Sequence, residues 1–544
     1  MKTVLGVHDG HDAGAALIHG KEIYAVNEER LSREKYHRGF PERSIRELIR
    51  VLEIETQNID KIAVAGIYRK KKRLLKMKHG VKEILGSFEG DIITVRHHRA
   101  HAAGAYFTSG WNRCIVLTID ATGDGLSSAV YVGKNGELKK IAESSYLDSV
   151  GDFYASITEM LGFVPMRHEG KIMALAGHQR GKNYHDFKDA VETKGLGFEN
   201  HLETTGSETV KKLSKNIDFP LNRKRECSNV LREDKRDHEL WDKAVKTAGS
   251  AQNHLEKEIN KLCENLKEDE DIEGQKKICY SGGVAQNVKV NRRVKENFDE
   301  CWVFPHMGDG GLALGSAFKV YSDLKNETKY WDWKESCDNV YLGPKFSSSQ
   351  IEKVLVEKDD IDFEIIDDKS EIISSLLASG KIVGLFQGRM EYGPRALGNR
   401  SIIANPSKME TREKLNKMLG REPFQPFSPT ILRKHADDYL EDTTPNKFMT
   451  MSFDVTEKAK EQIKAATHID GTCRPQILER KDNPPFYDII KCFEKKTDIA
   501  AVLNTSFNLH GEPIVCTPKQ AVDAFKKIGL DALACGEFLV TKTK

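Results

Sequence analysis

The sequence lacks paired cysteines and long apolar runs, and from its first residues we expect no signal peptide. Its ten cysteines are scattered over 544 residues without a Cys-x2-Cys pair, which excludes a zinc knuckle and a disulfide framework and favours a reducing compartment. No apolar run approaches the roughly 18 residues of a membrane span, and the chain opens on a short apolar strand. We therefore expect a cytoplasmic protein with no membrane partner.

A surplus of one charge is also absent. Lysine and arginine total 84 against 82 aspartates and glutamates, so the formal net charge is only +2. Nucleic-acid-binding domains carry a basic footprint, and we therefore expect no nucleic-acid partner. A chain of this length exceeds what one hydrophobic core supports, which predicts several domains.

Two histidines at helical spacing are the first chemical feature. His97 and His101 lie four residues apart within an alanine-containing stretch, 95–111, that favours a helix. On a helix both imidazoles share one face, where they can hold one divalent ion if other ligands approach. The same spacing also describes a helix whose histidines cap a core or face water.

Two aspartates are candidates for the remaining ligands. Asp120 ends the apolar strand 115–119 at a glycine-bearing turn, and Asp309 follows another apolar strand among glycines. With both histidines they would form a His2Asp2 site. Such mixed nitrogen and oxygen ligation suits iron(II), manganese or zinc.

The first part of the chain repeats itself. Residues 3–26 and 115–142 both read as a strand, a turn of acids and glycines, a second strand, a hairpin and a third strand. Two such units, each followed by helical segments, resemble the duplicated actin-like ATPase and sugar-kinase architecture. In that architecture the first turn of each half faces phosphates, so Asp124 is a candidate nucleotide-binding residue. The alternative is a pair of ordinary hairpins.

Three further segments complete the first domain. Lys171 follows a glycine at a predicted helix start, from which it can reach a phosphate or carboxylate. Apolar residues at helical spacing from Leu240 to Leu266 predict a long core helix. A strand–Gly-Gly–helix junction at 281–287 suits nucleotide phosphates or ribose, and its candidate residues are Ser281, Gly282, Gly283 and Asn287.

The second domain is rich in arginine. The pattern loosens over 322–348, which predicts domains at 1–345 and 346–544. Five arginines then occur among glycines and prolines, followed by an asparagine in a polar run: Arg389, Arg395, Arg400, Arg421, Arg474 and Asn504. Guanidinium groups match phosphate oxygens in pairs, so the pattern predicts a site for a small, doubly charged anion. The alternative is a set of surface arginines on solvated loops.

These motifs together resemble the nodulation-protein-type O-carbamoyltransferases over nearly the whole chain. The resemblance rests on Gly10-His11-Asp12, the paired histidines, and the segments 281–287, 308–315, EYGPRALGNRSI and LNTSFNLHGEPIV. It implies an α/β protein with two parts. The first is a duplicated actin-like, sugar-kinase-like domain similar to the metal-containing tRNA threonylcarbamoyl transferases. The second is a YrdC-like α/β domain similar to the enzymes that make threonylcarbamoyl-adenylate.

The resemblance also implies a reaction. Carbamoyl phosphate and ATP would give carbamoyl-adenylate in the second domain, and the first domain would move the carbamoyl group to a hydroxyl of a small molecule such as an antibiotic. ATP, Fe2+ or another divalent ion, and Mg2+ would be the cofactors. The charged region 180–240 would recognise the acceptor.

Residue roles follow from the same resemblance. His97, His101, Asp120 and Asp309 match the metal ligands, and His11 matches the histidine that takes the acceptor's proton. Lys171 and Arg474 are further catalytic candidates. The residues expected to grip carbamoyl phosphate are Arg389, Arg395, Lys414, Arg421 and Arg474, with Arg400 and Asn504 as further candidates for binding the donor or nucleotide.

Two other functional interpretations stay open. A hydrogenase-maturation carbamoyltransferase shares the paired histidines but acts on a protein cysteine; it carries Cys-x2-Cys pairs and the opposite domain order. In an actin-like regulatory ATPase, the arginine domain would serve only to sense an effector. Release of pyrophosphate that depends on carbamoyl phosphate separates it from the transferase.

Overall fold

The computed structural model describes residues 2–52, 56–67, 71–86, 88, 90–179, 184–272, 274–324 and 339–543, with backbone only for 71–74. Residues 325–338, in the stretch predicted to contain the domain boundary, therefore lie outside the described residues, as does Cys337. Within the described ranges, no helix is both long enough and apolar enough to span a membrane.

The chain alternates strands and helices throughout. The strands are β1 Thr3–His8, β2 Gly14–His19, β3 Glu22–Asn27, β4 Lys61–Ala65, β5 Asp91–Val95, β6 Arg113–Gly123, β7 Leu126–Lys134, β8 Glu137–Ser145, β9 Val191–Lys194, β10 Gly197–Asn200, β11 Lys277–Ser281, β12 Glu300–Val303, β13 Ile361–Ile365, β14 Val383–Phe386, β15 Arg400–Ala404, β16 Ser428–Leu432, β17 Phe453–Asp454, β18 Thr472–Cys473, β19 Gln476–Leu478, β20 Ala501–Ser506, β21 Ala532–Cys535 and β22 Phe538–Lys542. The helices are α1 Glu28–Ser32, α2 Glu42–Leu52, α3 Lys71–Leu85, α4 His97–Ser109, α5 Val150–Met160, α6 Glu169–Ala176, α7 Ser207–Asn216, α8 Lys224–Arg232, α9 Glu239–Glu268, α10 Val288–Glu296, α11 Leu312–Leu324, α12 Ser348–Val356, α13 Lys369–Ala378, α14 Met409–Leu419, α15 Ala436–Tyr439, α16 Glu457–Gln462, α17 Pro484–Thr497 and α18 Pro518–Ile528.

The chain divides into two compact units. The first comprises residues 1–24 and 38–338, and the second comprises 25–37 and 339–544. The sequence predicts contiguous domains and does not anticipate that segment 25–37 belongs to the second unit. The guanidinium of Arg33 holds this segment there, since it donates to the carbonyl oxygens of Pro513 and Ile514, both at 2.7 Å.

The first unit contains the predicted duplication. Its two five-stranded sheets have the orders β3-β2-β1-β4-β5 and β8-β7-β6-β11-β12. In each sheet the first strand of the repeat is antiparallel to the second and parallel to the strand that follows later in the chain. The same order in both sheets confirms two copies of one β-β-β unit, each extended by two parallel strands, within an α/β fold.

Helices α4 and α11 pack closely in this unit because small residues line their contact. A Cβ atom on Gly315 of α11 would lie 2.0 Å from the carbonyl oxygen of Ala100 in α4, so only glycine permits this approach. The predicted long core helix is α9, whose apolar positions from Leu240 to Leu266 are buried. This confirms the helical spacing read from the sequence.

The second unit is built on an eight-stranded mixed sheet of order β13-β22-β21-β14-β15-β20-β16-β19. Its strands are short and mostly buried, and α18 and α14 contribute apolar residues to the same core, including Phe525 and Leu415. The loop that leaves β14 and the loops that lead into β16 and β19 carry most of the arginines singled out in the sequence.

Candidate metal centre and arginine cluster

The first unit brings the four predicted metal ligands together. One ligand atom from each of His97, His101, Asp120 and Asp309 lies within 4.8 Å of all the others. The two histidine Nε2 atoms are 3.1 Å apart. Nε2 of His101 lies 3.2 Å from Oδ2 of Asp120 and 3.4 Å from Oδ1 of Asp309.

Three elements position these side chains. Both histidines lie in the first two turns of α4, Asp120 lies near the end of β6, and Asp309 begins a short 3-10 turn that leads into α11. The carboxylate of Asp120 accepts hydrogen bonds from the backbone N–H groups of Ala121 at 2.8 Å and Gly283 at 3.1 Å. Its orientation is therefore set by the backbone.

The electrostatics of this cluster fit a bound cation. Burial opposes the charged form of His101, yet hydrogen bonds to Asp120 and Asp309 raise its pKa to about 9. Burial also disfavours the two carboxylates, but the neighbouring histidines hold the pKa of Asp120 well below its usual range and that of Asp309 at about 2. Two buried carboxylates thus require positive charge beside them. Two imidazole nitrogens and two carboxylate oxygens are a donor set that suits a divalent transition-metal ion.

His11 lies beside this cluster. Its Nε2 is 3.1 Å from Oδ2 of Asp309, and its Nδ1 is 3.1 Å from Oδ2 of Asp12. The hydrogen bond to Asp12 raises the pKa of His11 to about 9, although partial burial acts against the charge. Nε2 of the buried His8 is 3.0 Å from the His11 carbonyl oxygen. The sequence pointed to His11 but not to this support from His8.

The glycine pair of the 281–287 junction lies against β6. Gly282 has φ 101, and a Cβ atom there would be 2.2 Å from the carbonyl oxygen of Ile119. Ser281 Oγ lies 3.4 Å from Nδ1 of His101. Asn287 accepts hydrogen bonds from the N–H groups of the first turn of α10, and its Nδ2 donates to Gln252. The junction therefore borders the metal-ligand cluster.

Two other candidates in the first unit have different surroundings. The carboxylate of Asp124 accepts hydrogen bonds from the backbone N–H groups of Ile67 and His97. Lys171 is buried in α6, with Nζ 5.2 Å from the centre of the Phe163 ring.

Two of the predicted anion-binding arginines, Arg395 and Arg421, lie close enough to a third, Arg474, to repel its charge. Burial lowers the pKa of Arg395 and of Arg421 to about 10. Burial, followed by repulsion from Arg395 and Arg421, holds the pKa of Arg474 well below its usual range. Arg474 donates to Ser428 Oγ at 3.2 and 2.9 Å. Such repulsion between largely buried cations is expected where an anion binds.

Several buried polar atoms of the second unit have no hydrogen-bond partner among the described residues. They include Nε of Arg395 and Oδ1 of Asn504. Nδ2 of Asn504 donates to the carbonyl oxygen of Ala396, next to Arg395. Since buried polar groups are normally paired, a donor and an acceptor here remain available to a ligand.

The other candidates of the second unit do not share this environment. Arg389 donates to the carbonyl oxygens of Leu342 and Gly343. Arg400 is fully buried, donates to backbone carbonyls and stacks on Phe386. Lys414 is half exposed and pairs with Asp531 at 3.3 Å. Sequence reasoning missed Ser428, which follows a proline-rich turn.

Known proteins resemble this chain along most of its length. The family models for the carbamoyltransferase N-terminus and C-terminus match residues 67–318 and 374–542. An uncharacterized protein of Methanocaldococcus jannaschii is 38% identical over 99% of this chain and 100% of its own. Nodulation protein NolNO of Sinorhizobium fredii is 31% identical, with 98% and 79% covered. Among solved structures, full-length HypF in its phosphate- and nucleotide-bound form is 14% identical with a TM-score of 0.39, over 60% of this chain and 47% of that one.

The two family models and the nodulation-protein relatives define a transferase enzyme. The chain belongs to the carbamoyltransferase family, to which the match with nodulation protein NolO of Bradyrhizobium diazoefficiens, 32% identical over 82% of this chain and 79% of that protein, also points. The resemblance read from the sequence motifs is thereby confirmed.

Proposed function

We propose that the protein is an ATP-dependent O-carbamoyltransferase that works in two steps. In the first step, carbamoyl phosphate, ATP and water give carbamoyl-adenylate: water releases phosphate from carbamoyl phosphate, and the resulting carbamate displaces pyrophosphate from ATP. In the second step, an acceptor hydroxyl attacks the carbamoyl carbon and AMP leaves. The observation that carries the proposal is the convergence of Arg395, Arg421 and Arg474 in a chain that also holds the His2Asp2 cluster.

The second unit is proposed to bind carbamoyl phosphate through these arginines. A doubly charged phosphate placed among them would relieve their mutual repulsion and satisfy the unpaired Nε of Arg395. Arg474 is held by Ser428, and the guanidinium of Arg421 lies 4.3 Å from the centre of the Phe427 ring. Because both side chains are fixed before the ligand arrives, little ordering is needed on binding.

The first unit is proposed to carry out the transfer. His97, His101, Asp120 and Asp309 would hold Fe2+ or another divalent ion. When bound, such an ion supplies Lewis-acid chemistry and an anchor for phosphate and carbamoyl oxygens. His11 would act in its neutral form and accept the proton of the acceptor hydroxyl at Nε2, the ring nitrogen that faces the cluster. A cation held by Asp309 would favour that neutral form, because it would repel the protonated ring. Asp12 would keep the ring in this orientation from the opposite nitrogen.

The acceptor is proposed to be a small molecule with a free hydroxyl, in line with the sequence resemblance. Region 180–240 is the proposed recognition segment, and its described part contains β9, β10, α7 and α8. ATP and Mg2+ are the further cofactors that we propose.

The test combines two measurements on the purified protein. The first is pyrophosphate release from ATP with and without carbamoyl phosphate. The second is mass spectrometry of a metabolite extract, searched for products heavier by one carbamoyl group. Pyrophosphate release that depends on carbamoyl phosphate is expected. Release of phosphate alone would favour a regulatory ATPase, and carbamoylation of a protein cysteine would favour a maturation factor.

A further inference from the structure

Helix α4, which carries both histidines, does not cap its own N-terminus. It begins at His97, and the preceding residue, Arg96, makes no side-chain hydrogen bond to the helix. Free N–H groups at a helix start need acceptors, and a negative charge there is favourable. A residue from another element meets this need.

That residue is Asp124, at the turn between β6 and β7. Its Oδ2 accepts the His97 N–H at 2.7 Å, and its two oxygens accept the Ile67 N–H at 2.9 and 3.0 Å. Ile67 follows β4. One carboxylate therefore ties together the turn, the end of β4 and the first residue of α4.

The neighbouring Gly123 fits the same arrangement. A Cβ atom on Gly123 would lie 2.0 Å from Cδ2 of the His97 imidazole. Gly123 thus leaves room for the imidazole ring of His97, and Asp124 accepts the backbone N–H of the same histidine. Asp120 lies three residues earlier on the same strand, so a single hairpin end supplies Asp120 and contacts His97, which are two of the four cluster residues.

We propose that Asp124 is a positioning residue. It fixes the first turn of α4 and so sets the distance between the two imidazoles and Asp120. This inference rests on the proposed metal site. Loss of the cap would let the first turn of α4 shift or fray, which moves His97 directly and His101 one turn later. Mutation of a group that supports a ligating residue typically lowers metal affinity by about 10- to 100-fold.

The experiment titrates Co2+ into the metal-free full-length protein and follows both affinity and the visible absorption spectrum. Asp124→Ala should weaken Co2+ binding about tenfold or more and alter the spectrum. Asp124→Asn keeps an oxygen that can accept the His97 N–H, and its affinity should lie between those of wild type and Asp124→Ala. Gly123→Ala should also weaken binding, because the added methyl group displaces the imidazole.

Asp60→Ala is the matched control. The Asp60 carboxylate also accepts a backbone N–H in the first unit, from Thr3 at 2.7 Å, but it takes no part in the cluster. This variant should keep wild-type Co2+ affinity even if its thermal stability falls.

Three results would overturn the inference. Wild-type affinity and spectrum in Asp124→Ala would show that the cap does not position the ligands. An equal loss of affinity in Asp60→Ala would show that general destabilisation is the cause. Failure of the wild-type protein to bind Co2+ would remove the proposed metal site itself, which distinguishes that outcome from the first two.

Discussion

Nε2 of His11 lies 3.1 Å from Oδ2 of Asp309. The other oxygen of that carboxylate, Oδ1, lies 3.5 Å from Nε2 of His97 and 3.4 Å from Nε2 of His101. One carboxylate therefore connects the proposed proton acceptor with the proposed metal ligands. Because His11 is not itself one of the four proposed ligands, mutation can separate proton transfer from metal binding.

Replacing His11 by alanine should block transfer without emptying the metal site. Loss of a general base typically slows a reaction by about 10²- to 10⁴-fold. Carbamoyl transfer to an acceptor should fall by that amount, whereas metal content and pyrophosphate release should stay near wild type. Equal loss of both activities would contradict the assignment. The measurements are elemental analysis and assays of the two half-reactions.

Replacing His101 by alanine should release the ion and stop transfer, because one of four ligands is lost. Pyrophosphate release should continue, since the proposed arginine site needs no ligand from this cluster. His98→Gln is the matched control on the same helix: His98 contacts Thr118 Oγ1 and the carbonyl oxygen of Leu126 and lies outside the four-residue cluster. Metal retained in His101→Ala would mean that the paired histidines are structural.

Replacing Arg395 by glutamine should weaken the first half-reaction. Removing a charged donor to phosphate costs roughly 1.5–3 kcal/mol for each hydrogen bond lost, so the KM for carbamoyl phosphate should rise by at least tenfold. Lys414→Met is the comparison, because Lys414 is half exposed and pairs with Asp531. It should change the KM little. The opposite order of effects would move the anion site from the three-arginine cluster toward Lys414.

Glu391 should prove essential to the loop that carries Arg395. Its buried Oε1 accepts three backbone N–H groups, from Leu397, Asn399 and Arg400, at 2.8, 2.7 and 3.2 Å. Glu391→Ala leaves these donors without an acceptor, at a cost of about 1–3 kcal/mol for each one that stays buried and unpaired.

The second unit should unfold at a lower temperature in Glu391→Ala, and carbamoyl phosphate should bind more weakly. Glu391→Gln keeps the oxygen and should be milder. Calorimetry and KM measurements test both effects, and a variant that is destabilised but keeps wild-type KM would show that the loop position does not depend on Glu391.

His254 on α9 should make the first unit less stable in acid. Burial lowers its pKa. The hydrogen bond to the Val191 carbonyl oxygen and the charges of Glu258 and Asp186 partly offset this effect, and Lys257 adds to it. The unfolded histidine has a pKa of about 6.5, so below that pH the unfolded state binds more protons and stability falls as pH falls.

His254→Gln should therefore flatten the fall in thermal unfolding temperature between about pH 6.5 and 5. The exposed His79, paired with Glu83 on α3, provides the control, since exposed pairs contribute little to stability. His79→Gln should keep the wild-type slope. An unchanged slope in His254→Gln would contradict the buried neutral state of this ring.

Local patterns in the sequence were sufficient to predict several elements. The three-strand repeats, the helix at His97, the long helix α9 and the glycine junction before α10 all appear where their patterns place them. Strand and helix periods are properties of neighbouring residues, so no distant contact is needed to read them. The predicted strand ends are only approximate at the two aspartates: β6 continues past Asp120 to Gly123, and Asp309 lies beyond β12, at the start of a 3-10 turn.

The tertiary structure decided which partner each of these polar side chains bonds. Arg389, Arg395 and Arg400 occur in one motif, yet only Arg395 lies in the three-arginine cluster, because β14 and β15 direct Arg400 onto Phe386 and the 342–343 carbonyls take Arg389. Asp124 resembles a phosphate-facing residue in sequence but caps α4 in the fold. A guanidinium or carboxylate bonds whichever group folding brings near it, and those partners come from distant parts of the chain, so residue type and spacing alone could not determine them.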